Sequence, residues 1–140
     1  MFSLDTESGR VRRLPVKTAT AYFAVALLCI LITNVYALYG HGIRSESMDF
    51  MFLYPLVGGT VVFLLMAFIL PRLPEKSRSI YRVAYNLYNS GIASLTSAAM
   101  LTGIVEIAGT ASELIQYIKL CGVVLTVAAV VCQIVKSVPR

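Results

Sequence analysis

Residues 16–39 read VKTATAYFAVALLCILITNVYALY, an unbroken apolar run whose one charge, Lys17, sits at its start. At about 1.5 Å of rise per residue, a helix of that length reaches through the roughly 30 Å of a bilayer's hydrocarbon. Every backbone N–H and C=O in hydrocarbon must be bonded within the protein, so such a run predicts a helix and not a strand. Arg12, Arg13 and Lys17 ahead of it, with Val35-Tyr36-Ala37 behind, have the outline of a secretory signal. The apolar stretch exceeds the roughly 7 to 15 residues of a signal's hydrophobic region, so a retained span is expected.

Outward from this run lie three more: Phe50 to Leu70, Tyr81 to Ile107 and Leu114 to Val135. The chain has 140 residues, 58% of them hydrophobic and only 14% charged. Soluble domains carry about a quarter charged residues, and the four runs leave no room for an aqueous catalytic domain. The connections are short. His41 to Asp49 contains Gly42, Pro71 to Ser79 contains Pro74, and Gly109 to Glu113 offers Thr110 and Ser112 as N-caps. Consecutive spans are therefore expected to form antiparallel hairpins of an all-α, integral membrane four-helix bundle. Residues 1–15 are expected to be a cytoplasmic polar tail, and residues 16–140 a single transmembrane domain.

Basic residues orient the bundle. Arg10, Arg12, Arg13 and Lys17 precede the first span, Arg72, Lys76, Arg78 and Arg82 lie between the second and third, and Lys136 and Arg140 follow the fourth. Only Arg44 and Lys119 fall on the other side, together with Glu46, Asp49, Glu106 and Glu113. Positive charge gathers on the cytoplasmic face, so both termini are predicted cytoplasmic, with a bacterial plasma membrane as the expected location. The tyrosines fit this frame as an aromatic belt: Tyr36, Tyr39, Tyr54 and Tyr117 near the outer boundary, Tyr22, Tyr81, Tyr85 and Tyr88 near the inner one.

The third span differs from the others in carrying Asn86, Asn89, Ser90, Ser94, Thr96, Ser97 and Thr102. On a helical projection Asn86, Ser90, Ser94 and Ser97 share one sector of roughly 80°, with Asn89 at its flank. An unpaired amide or hydroxyl in an apolar medium costs several kcal/mol, so this stripe must face other helices, another subunit or water. It either packs or lines a path, and packing is preferred because the same face continues as Met100, Leu101 and Ile104 and no open pore reaches the far side. In the second span Pro55 removes an amide donor, exposes the Met51 carbonyl and favours a kink, while Gly58, Gly59 and Thr60 admit a close neighbour. Asn34, toward the outer end of the first span, is expected to hydrogen-bond across a helix interface.

No ionisable residue lies near the middle of a span, which disfavours proton-coupled exchange. Glu106 and Lys119 are placed at the outer boundary as a candidate polar cluster across the last hairpin. Cys29, Cys121 and Cys132 form no CxxC pair. His41 stands alone, and no metal set, cofactor motif, phosphate-cradling loop or catalytic residue is found. The basic segments have no domain with which to dock nucleic acid. The sequence thus predicts a non-enzymatic accessory or structural subunit in the lipid bilayer. It would associate with itself or a larger membrane subunit through the polar and small-residue faces of spans two and three. The alternative is an oligomeric channel or facilitator for a small neutral or weakly charged solute or ion, lined by span three.

Overall fold

The first apolar run forms the body of a long helix, α1 (Leu4–Tyr39), in a computed structural model that describes residues 4–40, 42–69 and 78–137, with side chains over 16–40, 42–65 and 83–132. The helix begins well before the hydrophobic pattern does, so the expected polar tail is helical from Leu4 onward. Once a span is nucleated, each further residue gains one hydrogen bond for one ordered residue, and extension into polar sequence costs little. His41, the Pro71–Ser79 connection as far as residue 77, and the side chains of Tyr81, of Gln133 and of the basic clusters other than Lys17 lie outside what is described.

The second crossing is built from three pieces. Ser45 caps α2 (Glu46–Asp49), its hydroxyl accepting from the Met48 amide, so helical structure starts ahead of the expected Phe50. A π-helix follows over Tyr54–Val61 and passes into α3 (Val62–Ile69). Pro55 explains the change of pitch. Having no N–H, it leaves the Met51 carbonyl to accept from Tyr54 instead, three residues on at 3.4 Å, and the tight turn before the proline gives way to a wide one after it.

The third and fourth runs form α4 (Arg78–Ile107) and α5 (Glu113–Ser137). Between them the chain turns on Gly109, whose φ of 69° suits glycine. The Gly109 amide bonds the Glu106 carbonyl at 3.1 Å and the Thr110 amide bonds Val105 at 3.0 Å, a Schellman closure of α4.

Contact registers give the packing. Gly59 lies against Tyr22, Thr60 against Ala19 and Met48 against Thr33, so the second crossing runs antiparallel to α1. Gly58 meets Ile92 while Met48 meets Gly103, which makes α4 antiparallel to the second crossing. Gly91 meets Thr126 and Gly122 meets Leu95, so α5 is antiparallel to α4. Ala84, Gly91 and Ala98 on α4, and Ile115, Gly122 and Ala129 on α5, are buried at seven-residue spacing. Two such narrow seams of mostly small residues bring the helix backbones close together. α4 is the central element, touching α1, the second crossing and α5.

Large apolar side chains point outward along the helices, Leu31 at 60% and Val124 at 56% exposure among them. Such surfaces belong in lipid. Four segments, Val16–Tyr39, Glu46–Leu65, Val83–Ile107 and Glu113–Cys132, are long and apolar enough to cross a membrane, and no strand occurs among the described residues. The chain is an all-helical, multi-pass membrane protein.

Candidate functional site

Polar side chains collect in three places. The first surrounds the π-helix. Gly58 and Gly59 are adjacent in sequence but face different helices: a Cβ on Gly58 would sit 2.6 Å from Ile92 of α4, and one on Gly59 would fall into the Tyr22 ring of α1. Phe63, one turn further, is buried between them, stacked on Tyr22 at 5.6 Å and edge-on to Tyr85 and Tyr88 at 5.2 and 5.8 Å. The tyrosine hydroxyls are all engaged inside the protein. Tyr22 donates to the Asn89 side-chain oxygen at 2.7 Å, Tyr88 donates to the Gly58 carbonyl at 2.7 Å, and Tyr85 shares a 2.5 Å hydrogen bond with Thr18. Thr60 donates to the carbonyls of Ala19 and Pro55, both at 3.4 Å.

Tyr22, Tyr85 and Tyr88 therefore pack inward around Phe63, where the sequence placed them in an aromatic belt near the inner boundary. The missed signal was depth. Three tyrosines and a Gly-Gly pair lie at one level of the bundle, and a flat glycine surface is filled by an aromatic ring on the neighbouring helix. Gly58, Gly59 and Thr60 are interhelical positions, but both glycine surfaces are covered within the chain and span two offers neither to a partner.

The second cluster lies at the turn end of α4. Glu106 accepts from Ser45 through one carboxylate oxygen and from Ser47 through the other, the latter at 3.1 Å. Arg44 pairs with Asp49 at 3.7 Å and donates to the Asn34 side-chain oxygen at 3.4 Å. Glu106 is thus turned toward the α1–α2 connection and not toward Lys119, which makes no ion pair with a described residue. The reason is local: the cap residue Ser45 brings a hydroxyl beside the end of α4, and hydrogen bonds to a carboxylate are strong. Asn34 also departs from expectation. Its amide nitrogen donates to the Ile30 carbonyl of its own helix at 2.8 Å, so the side chain serves α1 and the connection and does not bridge two spans. Neither Ser45 nor Ser47 stood out in the sequence, since a cap's second partner depends on tertiary placement.

The third place is the open side of α4. Asn86, Ser90 and Ser97 are exposed and Ser94 is half-buried. Their side chains bond to no other group among the described residues, unlike Thr96 and Thr102, which return their hydroxyls to the carbonyls of Ile92 and Ala98. Consecutive residues show how the helix is shared: Asn89 faces α1, Ser90 faces out, Gly91 faces α5 and Ile92 faces the second crossing. Asn89 separates from the rest of the stripe and joins the tyrosine cluster. Among the described residues no group of His, Cys, Asp and Glu is arranged to hold a metal, and Cys29, Cys121 and Cys132 are free thiols.

No protein-family model, curated protein or solved structure matches the chain.

Proposed function

We propose that the chain is a non-enzymatic accessory or structural subunit of the membrane, with both termini cytoplasmic, that associates laterally through the open polar side of α4. The observation that carries this reading is the state of Asn86, Ser90 and Ser97, which are exposed and lack a partner among the described residues, within a helix that crosses the bilayer. Hydrocarbon cannot satisfy amides and hydroxyls, and hydrogen bonding between helices is one of the forces that hold membrane bundles together. The interior of the bundle supports the same reading, because the tyrosine cluster is tied to backbone carbonyls and side chains of its own neighbours, as a fixed packing core would be.

The test is the mass of the protein in lipid nanodiscs, together with what co-purifies from native membranes. Association that is lost on Ser94→Leu or Ser90→Leu supports the proposal. A monomer with no stripe-dependent partner refutes it. The same outward groups also favour a second reading, a path for a small neutral or weakly charged solute between copies; it requires flux in proteoliposomes that Ser94→Leu or Asn86→Ala alters.

A further inference from the structure

We infer that the occupant of the open side of α4 is a second copy of this chain, docked α4 against α4 in a parallel, two-fold pair. The inference rests on the associating role proposed above and adds the partner's identity.

Spacing is the first argument. Asn86, Ser90, Ala93, Ser97, Met100 and Ile104 follow one another at alternating intervals of four and three. That is the 3.5-residue period of a left-handed helix pair; over Asn86 to Ser97 it runs along the open side of α4, and at Met100 it reaches the edge of that side, where the side chain also packs against the cluster of Cys29, Met48, Met51 and Ala99. Asn86, Ser90, Ala93 and Ser97 are exposed; Met100 and Ile104 are half-buried.

Shape is the second. Ile92, against the second crossing, lies roughly 200° around the helix from Ser90, and the contacts to α1 and α5 fall on either side of Ile92. All three neighbours thus crowd one side of α4, and the free side projects. Its short side chains let another helix approach closely.

Chemistry is the third. Copies inserted in one orientation share an axis along the membrane normal, so each residue of the seam lies opposite itself. A carboxamide and a hydroxyl each carry both a donor and an acceptor, so Asn86, Ser90 and Ser97 are complementary to themselves. None of the six residues is charged, and a like-on-like pairing therefore meets no repulsion. An acyl chain offers none of these hydrogen bonds.

The experiment uses the full-length chain in liposomes, with Cys29, Cys121 and Cys132 replaced by alanine and one new cysteine introduced at a time. Mild oxidation is expected to give a disulfide dimer with Ser90→Cys and with Ser97→Cys. Leu120→Cys, on the outward side of α5, is expected to give none. In the native background, Ser90→Leu is expected to weaken dimerisation on the order of tenfold, as loss of one or two interhelical hydrogen bonds implies. Crosslinking at Leu120→Cys equal to that at Ser97→Cys would overturn the α4 seam. A wild-type monomer would overturn the second copy; a different chain captured from native membranes by the wild type and lost with Ser90→Leu would then leave the associating role standing. Equal recovery by both proteins would end both proposals.

Discussion

Gly59 shows how much of the packing rests on the absence of one methyl group. A Cβ there would overlap the Tyr22 ring, and Tyr22 is itself held by Phe63 on one side and by its bond to Asn89 on the other. The ring has little freedom to yield, so Gly59→Ala is expected to destabilise the bundle by roughly 1–3 kcal/mol, as overpacking does elsewhere. Reversible unfolding in mixed micelles measures it. Combining the change with Tyr22→Ala should remove most of the penalty, and strictly additive effects would refute the steric account. Tyr88→Phe tests the other face of the same segment: it keeps the ring against Phe63 but removes the donor to the Gly58 carbonyl. A loss of about 0.6 kcal/mol, the average for such bonds in membranes, is expected in the same assay. Pairings of this kind are only half legible in sequence. Gly58 and Gly59 announce a close approach, but which ring fills each surface depends on registers between helices far apart in the chain.

At the scale of elements, the spans were legible because long apolar runs have only one way to satisfy their backbone, and the last turn because it carries Gly109, whereas the helix start capped by Ser45, ahead of the expected Phe50, was not read. Pro55 marked a break in the second crossing, but not its form, a tight turn followed by a π-helix. That form is accompanied by Tyr88 and Thr60 reaching the carbonyls of Gly58 and Ala19, which are tertiary contacts. The periodicity of α4 was legible too, yet its orientation was not. The helix carries two surfaces that both suit close packing, the buried Ala84, Gly91 and Ala98 seam and the Asn86, Ser90 and Ser97 stripe. The first was taken by α5, whose Gly122 matches it, and the second was left outside. A wide turn holds its amides less firmly than an α-helix. Amide hydrogen exchange in bicelles is accordingly expected to be faster over residues 56–61 than over residues 90–98 of α4. Equal protection would mean that the tyrosine hydroxyls compensate fully for the altered pitch.

For the whole molecule, orientation has a direct physical test. Four crossings, as proposed, would put both termini on one side, and ten of the twelve Lys and Arg residues flank that side. The positive-inside bias is counted near span ends and over short loops, which describes every basic segment here. In the cysteine-free chain, Thr110→Cys, at the exposed turn between α4 and α5, is expected to react with an impermeant maleimide on intact cells. Ser8→Cys should react only after permeabilisation, and the reverse pattern would refute cytoplasmic termini. Neutralising Arg10, Arg12 and Arg13 should leave the pattern unchanged, because Arg72, Lys76, Arg78 and Arg82 still outnumber Arg44 and Lys119. The outcome also locates the Glu106 cluster. With the termini inside, the carboxylate held by Ser45 and Ser47 and the Arg44–Asp49 pair lie at the outer surface, where water and salt screen them, and they fasten the α1–α2 connection to α4 with no role in crossing the bilayer.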